Sequence, residues 1–168
     1  SERWGKAQAK ARDKANDVAA ELLQIQARRA AREGNALSVD EADYLKFCEG
    51  FPFTPTEDQQ KAIDAVLADV TAAKSMDRVV CGDVGKTEVA LRACFAVARA
   101  GKQVCLLAPT TLLAQQHEKN FSDRFADWPI RVGALSRLRT SKEQTEMLKQ
   151  LAAGSLDIVI GTHRLLQA

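Results

Sequence analysis

The chain has 168 residues, of which 46% are hydrophobic and 27% charged, with a formal net charge of +2. This length predicts one domain with its own core and an appendage, while the small charge does not by itself indicate nucleic-acid binding. Because the sequence has neither a signal peptide nor an apolar stretch long enough to span a bilayer, we expect a cytoplasmic protein without membrane contact.

The cysteines indicate a reducing environment. They show no paired CxxC spacing, and three of the four lie within apolar runs, so a zinc site or a disulfide framework is not expected. We predict small core residues at Cys48, Cys81, Cys94 and Cys105.

Residues 1–34 predict one long helix. Between Trp4 and about Arg32 there is no proline and no glycine after Gly5, and residues that favour helix dominate. The apolar positions form a thin stripe, mostly alanine, at heptad spacing, which favours a helix packed along one side over a self-associating coiled coil. Gly34 is predicted to end the helix as a C-cap.

Residues 35–55 predict a short helix and a linker. Phe51 to Pro55 break the regular structure at the end of this helix. Thr56 then has the features of an N-cap, with acidic residues in the first turn and an apolar face beyond them. We assign residues 56–168 to one lobe.

From Arg78 onward, short apolar runs alternate with helical segments. This alternation predicts an α/β fold with a central parallel sheet covered by helices on both faces. The predicted strands are Arg78–Cys81, Gln103–Ala108, Ile130–Leu135 and Asp157–Ile160.

A glycine-containing loop joins the first predicted strand to a helix, which is the context of a phosphate-binding P-loop. Lys86 would neutralise the charge of the β- and γ-phosphates, and the Thr87 hydroxyl would bind magnesium. The candidate nucleotide residues in the loop are Gly82, Asp83, Val84, Gly85, Lys86, Thr87 and Glu88.

The length of this loop departs from the P-loop pattern. Only two residues separate Gly82 from Gly85, where the pattern has four. A loop this tight has too few inward N–H groups to surround a phosphate, so we doubt normal ATP binding. Two alternatives stay open: a plain βα turn that only starts a helix, or a recorded sequence that omits two residues of a mobile loop.

Two side chains upstream of the loop are candidates for adenine recognition. A glutamine such as Gln59 can both donate to and accept from the adenine edge, and an aromatic residue such as Phe53 can stack on the base. The alternative is an ordinary helix start, with Thr56 as the cap and an exposed glutamine.

Polar loops follow the second and the last predicted strands. Thr110 and Thr111, with Gln115, lie at one helix start, and Thr162 and His163 follow the last strand. Helix starts with free N–H groups and hydroxyls bind phosphates, although the same residues also serve as simple caps. Because both loops lie on the rim where ligands of parallel sheets bind, we predict a shared phosphate-rich ligand.

The order of these motifs resembles the first motor lobe of superfamily 2 helicases, and within them the bacterial transcription-repair coupling factors. The fork-remodelling RecG helicases are the nearest alternative. The resemblance implies a RecA-like P-loop NTPase lobe preceded by a long helix that joins an RNA-polymerase-interacting domain to the motor. It is carried by residues 4–34, 51–59, 76–85, 109–117 and 160–163.

The resemblance also implies a function: ATP hydrolysis that drives translocation on double-stranded DNA, removes stalled RNA polymerase and recruits excision-repair proteins. Those protein partners would bind mostly through regions outside this chain. By motif match, Gln59 would recognise adenine, Gly82 to Thr87 would hold the phosphates and magnesium, and the DNA backbone would contact Thr110, Thr111, Thr162 and the Ser136–Arg137 pair. Arg137 is alternatively an ordinary solvated surface charge.

Two features depart from this family pattern, the short loop and the lack of an Asp-Glu pair after His163. We therefore expect the isolated chain to be catalytically inactive. An alternative is a nucleotide-free module that binds DNA backbone or a protein, and a weaker one is a nucleotide kinase with an atypical P-loop.

Overall fold

A computed structural model describes residues 2–166, with side chains from Trp4 onward. Within this range helices and short strands alternate in the second half of the chain, as the sequence predicts. The helices are α1 (Glu2–Ala30), α2 (Glu41–Glu49), α3 (Glu57–Thr71), α4 (Lys86–Arg99), α5 (Thr111–Arg124) and α6 (Ser141–Ala152); the strands are β1 (Val104–Leu107), β2 (Val132–Leu135) and β3 (Ile158–Gly161), followed by a 3-10 turn (His163–Leu166).

The predicted long N-terminal helix is confirmed, but the packing along one side that its apolar stripe favours is not seen between Trp4 and Arg28. Side chains from Trp4 to Arg28 are all exposed, including Val18, Leu22 and Ile25 of the apolar stripe. A stripe made mostly of alanine offers little apolar area to bury, so it provides little free energy for docking along its length.

The last turn of α1 is held by polar contacts. Arg29 Nη1 lies 2.6 Å from Asp77 Oδ2, and its Nη2 donates to the Met76 carbonyl at 3.0 Å. Gly34 does not cap the helix: its N–H donates to the Ala73 carbonyl at 3.0 Å, and a Cβ there would lie 2.4 Å from the Lys74 carbonyl carbon. Glycine is therefore needed at position 34 for close backbone approach.

The three strands form a parallel sheet in the order β1-β3-β2, which confirms the predicted sheet type. Leu107 and Leu135 are both in register with Gly161, so the carboxyl ends of the strands are level. The loops that follow the three strands therefore emerge at one edge of the sheet.

One face of the sheet is covered by α4 and α5, and α2 packs on α4. Phe47 of α2 is fully buried, and its ring stacks on Phe95 of α4 with centroids 4.2 Å apart. Phe121 of α5 and Ile158 and Ile160 of β3 belong to the same core. The short helix within residues 35–55 thus contributes to the core of the lobe.

The other face is covered by α6 only over β2 and β3. Leu135 and Val159 are buried there in a cluster that Met147 joins. Cys105 and Leu107 of the edge strand β1 are exposed. The prediction of a sheet covered on both faces therefore holds for β2 and β3 and is wrong for β1.

The prediction of four core cysteines is also only partly correct. Cys94 is buried and Cys48 half-buried, whereas Cys81 and Cys105 are exposed. Their positions explain the difference, because Cys105 lies on the uncovered side of β1 and Cys81 lies in an irregular loop.

The strand predicted at Arg78–Cys81 is absent. This segment is irregular, Val79 is 85% exposed, and Val80 packs beside Ile63 of α3 and Val89 of α4. A strand requires a hydrogen-bonded neighbour, and here the one partly covered side chain, Val80, packs against helices instead.

Candidate nucleotide loop and nucleic-acid groove

The candidate phosphate loop ends at Gly85, which starts α4 with a left-handed backbone (φ 80°). A Cβ there would lie 1.7 Å from Gln59 Nε2, so a larger residue at position 85 would also require the Gln59 side chain to move. The N-cap Gly85 provides no side-chain cap, and the Glu88 N–H donates to the Gly85 carbonyl at 3.1 Å. The N–H groups of Lys86 and Thr87 therefore remain available to an anion.

The lysine of the loop is turned back on its own backbone. Its ammonium donates to the Gly82 carbonyl and, at 3.3 Å, to the Asp83 carbonyl. The cavity beside the loop measures about 220 Å³, below the roughly 300–1,000 Å³ typical of small-molecule sites. As arranged, the loop does not fit a nucleoside triphosphate.

The two candidate adenine contacts lie at different cavities. Gln59 lines the loop cavity together with Lys86, whereas Phe53 lines a cavity of about 590 Å³ together with Thr87. Gln59 Oε1 also accepts the Thr56 N–H at 2.9 Å in a capping box. The structure therefore places Lys86 and Gln59 at one cavity and Thr87 and Phe53 at another, so the four candidate nucleotide contacts do not share a single site.

Glu88 lies in a buried ionic cluster. Its Oε1 accepts from Arg92 Nε at 2.7 Å and from Arg124 Nη2 at 3.4 Å, and its side chain is 6% exposed. The Arg124 guanidinium also lies 4.3 Å from the centroid of the Phe47 ring. Glu88 thus ties α4 to α5, while Arg124 contacts α2.

A groove of about 830 Å³ lies at the carboxyl ends of the strands. It unites five residues that the sequence analysis assigned to DNA, two of them threonines at the start of α5. No carboxylate occurs among the described residues that line it, and its cationic side chains include two exposed arginines. The lining consists of Pro109, Thr110, Thr111, Leu135, Arg137, Gln144, Leu148, Thr162, His163 and Arg164.

Two predicted DNA residues do not line the groove, and two polar residues that do line it, Gln144 and Arg164, were not predicted. Ser136 is 4% exposed, and Gln115 lies on α5 one turn after Thr111. Arg164 directly follows Thr162 and His163, so a positive charge beside that motif was a usable signal. Gln144 carries no motif, because α6 brings it to the groove from another segment.

Thr110 has a structural role as well as a place in the groove. Its Oγ1 accepts the Leu113 N–H at 3.2 Å and so caps α5. A hydroxyl has one donor and two acceptor lone pairs, so the cap leaves the Thr110 O–H free to donate to a ligand. Thr111 lines the groove and provides no cap.

Comparison with known families decides what this lobe is. Residues 56–168 match the DEAD/DEAH box helicase family. The chain belongs to this family. Use of ATP with a divalent metal ion is general in this family, and membership of the family fits the α/β lobe described above.

Curated relatives within this helicase family cover the whole chain. It is 56% identical over 167 residues to the transcription-repair-coupling factor of Escherichia coli (strain K12) and 52% identical over 170 residues to that of Haemophilus influenzae. These matches cover 98% and 100% of the chain but only 14% and 15% of the relatives. The chain therefore corresponds to a small part of those proteins.

Solved structures show the same helicase lobe. One is the structure of RecG bound to a three-way DNA junction, with a TM-score of 0.80 and 32% sequence identity. The match covers 86% of this chain and 20% of the RecG chain. A hypothetical ATP-dependent RNA helicase from Sulfolobus tokodaii matches 76% of this chain and 36% of that one, with a TM-score of 0.57 and 21% identity, which supports the fold alone. The α/β unit is a RecA-like P-loop lobe preceded by a long helix.

No helix among residues 2–166 has the length and apolar character needed to cross a membrane.

Proposed function

We propose that this chain is part of an ATP-dependent translocase on double-stranded DNA, which removes stalled RNA polymerase and couples transcription to nucleotide excision repair in the bacterial cytoplasm. The groove at the carboxyl ends of the strands is the observation that carries this proposal. The identity of 56% to a transcription-repair-coupling factor supports it. RNA polymerase and the excision-repair proteins would bind mostly through other parts of the whole protein.

The groove has the chemistry of a contact with the DNA backbone. Hydroxyls of Thr111 and Thr162, with the charged or polar groups of Arg137, His163 and Arg164, line one volume, and no carboxylate is found among its described lining residues. Such groups bind phosphate oxygens without recognising base sequence. A translocase needs contacts of this kind, because it has to move along any sequence.

Two further residues have a part in the proposed contact, one beside it and one beneath it. Gln115 lies four residues after Thr111 on α5, so both project from the same side of that helix. Ser136 is buried and its Oγ accepts the Leu138 N–H at 3.3 Å, so it supports the turn that carries Arg137.

ATP and magnesium belong to the proposed function of the whole protein. Lys86 would hold the β- and γ-phosphates, Thr87 the magnesium ion, and Phe53 and Gln59 the adenine. The present loop does not admit these ligands, because the Lys86 ammonium is engaged by its own loop and the cavity is small. We therefore propose that nucleotide binding requires a loop two residues longer and that the 168-residue chain does not hydrolyse ATP.

The groove is tested by measuring the affinity of the 168-residue chain for fluorescent duplex DNA across a salt series. We expect affinity to fall as salt rises, because phosphate contacts release counterions. Arg137→Ala should weaken binding, whereas Arg131→Ala should not. Arg131 is a matched control: it precedes β2 at the opposite edge of the sheet, and its Nε lies 3.7 Å from Asp157 Oδ2. Equal effects of the two substitutions would contradict the proposal.

A second candidate is a nucleotide-free module that binds DNA backbone or a protein. The turned-back Lys86 favours it. An intact-mass measurement decides whether the two loop residues exist, and titration with ATP and magnesium decides whether the loop binds nucleotide. Binding by the chain as sequenced would remove this candidate.

A RecG-type fork-remodelling helicase is the third candidate, and the TM-score of 0.80 to RecG favours it. The same binding experiment distinguishes it when duplex and three-way junction DNA are compared. A clear preference for the junction would favour a fork-remodelling function over translocation on a plain duplex.

A further inference from the structure

The turn after β2 presents Arg137 to the groove. The Arg139 N–H donates to the Ser136 carbonyl at 3.2 Å, which closes a tight turn with Arg137 and Leu138 at its exposed tip. The arginine contributes a charge to the groove only while this turn keeps its shape.

A side chain from another element holds this turn. Gln144 Nε2 donates to the Ser136 carbonyl at 3.2 Å and to the Arg139 carbonyl at 2.7 Å, and the side chain is half-buried. One amide group therefore links both ends of the turn. Since Gln144 also lines the groove, this link lies directly beside Arg137.

The other arginine of the turn is committed elsewhere. Arg139 Nη2 lies 2.6 Å from Glu118 Oε1 of α5, and Nη1 lies 3.7 Å from Glu143 Oε1 of α6. Two carboxylates thus neutralise Arg139, which does not line the groove. Arg137 has no ion pair among the described residues and retains its charge for a ligand.

We propose that Gln144 is a positioning residue that holds Arg137 in place for a DNA phosphate. The proposal rests on the proposed function of the groove. Its physical basis is preorganisation: a turn that is fixed before binding does not have to be ordered at the moment of binding. Gln144 would contribute to affinity through Arg137 and not through a phosphate contact of its own.

The test uses Gln144→Met in the 168-residue chain, because methionine keeps the length of the side chain and removes both N–H donors. Gln150→Met is the matched control: Gln150 lies on the same helix, and its side-chain amide reaches only Glu146, at 3.5 Å. We expect Gln144→Met to weaken duplex DNA binding about fivefold and Gln150→Met to leave it unchanged.

A double-mutant cycle separates positioning from general damage. In an Arg137→Ala background, Gln144→Met should have almost no further effect on DNA affinity, because the charge that it positions is gone. The slope of log affinity against log salt should fall by up to about 0.9 for either single variant, which equals the loss of one phosphate contact. An undiminished effect in the Arg137→Ala background would overturn the proposal.

Amide hydrogen exchange gives a readout without DNA. The Arg139 N–H should exchange at least about tenfold faster in Gln144→Met, while amides of α6 keep their rates. Unchanged exchange of Arg139 would contradict the role of Gln144 in holding the turn. If the parent chain does not bind DNA, the proposed function and this inference both fail; if binding depends on Arg137 but not on Gln144, only this inference fails.

Discussion

The Lys86 ammonium donates a hydrogen bond to the backbone carbonyl of Gly82, four residues earlier in the same loop. The cation that a P-loop offers to phosphate is therefore satisfied internally. A phosphate would have to displace this contact, and the loop has too few residues to rearrange around it.

Lengthening the loop should restore nucleotide binding. Insertion of Ser-Gly after Val84 gives the spacing of the P-loop pattern and frees Lys86 from the Gly82 carbonyl. We expect ATP with magnesium to bind about tenfold more tightly or better, since charge-assisted hydrogen bonds each contribute about 1.5–3 kcal/mol. Isothermal titration calorimetry measures the change.

The control carries the same insertion together with Lys86→Ala. It should bind no more tightly than the parent chain, because the cation that contacts the phosphates is missing. Tight binding by this control would show that the insertion acts in some way other than by forming a phosphate cradle.

The sequence predicts more of the groove than of the nucleotide site, for a physical reason. Apolar runs followed by Thr110 or Thr162 predict polar loops at one edge of a parallel sheet, because the carboxyl ends of parallel strands are level. The segment before Gly82 is equally apolar, yet its conformation depends on a partner strand that sequence periodicity does not show. Gln144 could not be predicted at all, since its position depends on how α6 packs.

Glu88 should be important for the stability of the lobe. Its 6% exposed carboxylate neutralises Arg92 and Arg124, so Glu88→Gln leaves two poorly solvated guanidinium groups without a counter-charge. We expect the free energy of unfolding to fall by about 3 kcal/mol, as when one partner of a buried ion pair is removed. Urea unfolding at neutral pH measures the loss.

Glu57→Gln is the matched control for Glu88→Gln. Glu57 lies 2.7 Å from Lys61, but its side chain is 84% exposed. Exposed pairs contribute little, so we expect almost no change in the free energy of unfolding. Similar losses for the two variants would mean that burial does not determine the effect.

Stability should decline at alkaline pH through Cys94. Burial raises the pKa of the Cys94 thiol to about 12, whereas a cysteine in the unfolded chain has a pKa of about 8.5. Above that lower value the unfolded chain loses the proton and the folded chain keeps it, so stability is complete below about pH 8.5 and falls as the pH rises towards about 12. Burial also raises the pKa of the Tyr44 hydroxyl and of the Cys48 thiol, which act in the same direction.

Urea unfolding at about pH 8 and about pH 10 tests this loss of stability. Between the two pKa values, one buried thiol lowers the free energy of unfolding by about 1.4 kcal/mol per pH unit. Cys94→Ala should be less stable than the parent at about pH 8, since it leaves a small cavity, but should lose less stability on going to about pH 10. An identical pH dependence of the two proteins would show that Cys94 does not contribute.

Thr110 and Thr111 should differ in what they stabilise. The Thr110 hydroxyl caps α5 by accepting the Leu113 N–H at 3.2 Å, while Thr111 lines the groove without capping. Thr110→Ala should lower the free energy of unfolding by about 1 kcal/mol and also weaken DNA binding, because both the cap and the O–H donor are lost. Thr111→Ala should weaken DNA binding about fivefold with little change in stability.

Urea unfolding and fluorescence anisotropy with duplex DNA, measured on the same preparations, separate these two effects. The comparison decides between the two roles predicted for the threonines, capping and phosphate contact. If Thr111→Ala binds DNA as tightly as the parent, Thr111 has no phosphate contact. If Thr110→Ala loses stability but keeps its affinity for DNA, then Thr110 is only a cap. If both variants keep their affinity, the phosphate contacts of the groove come only from the segments that follow β2 and β3.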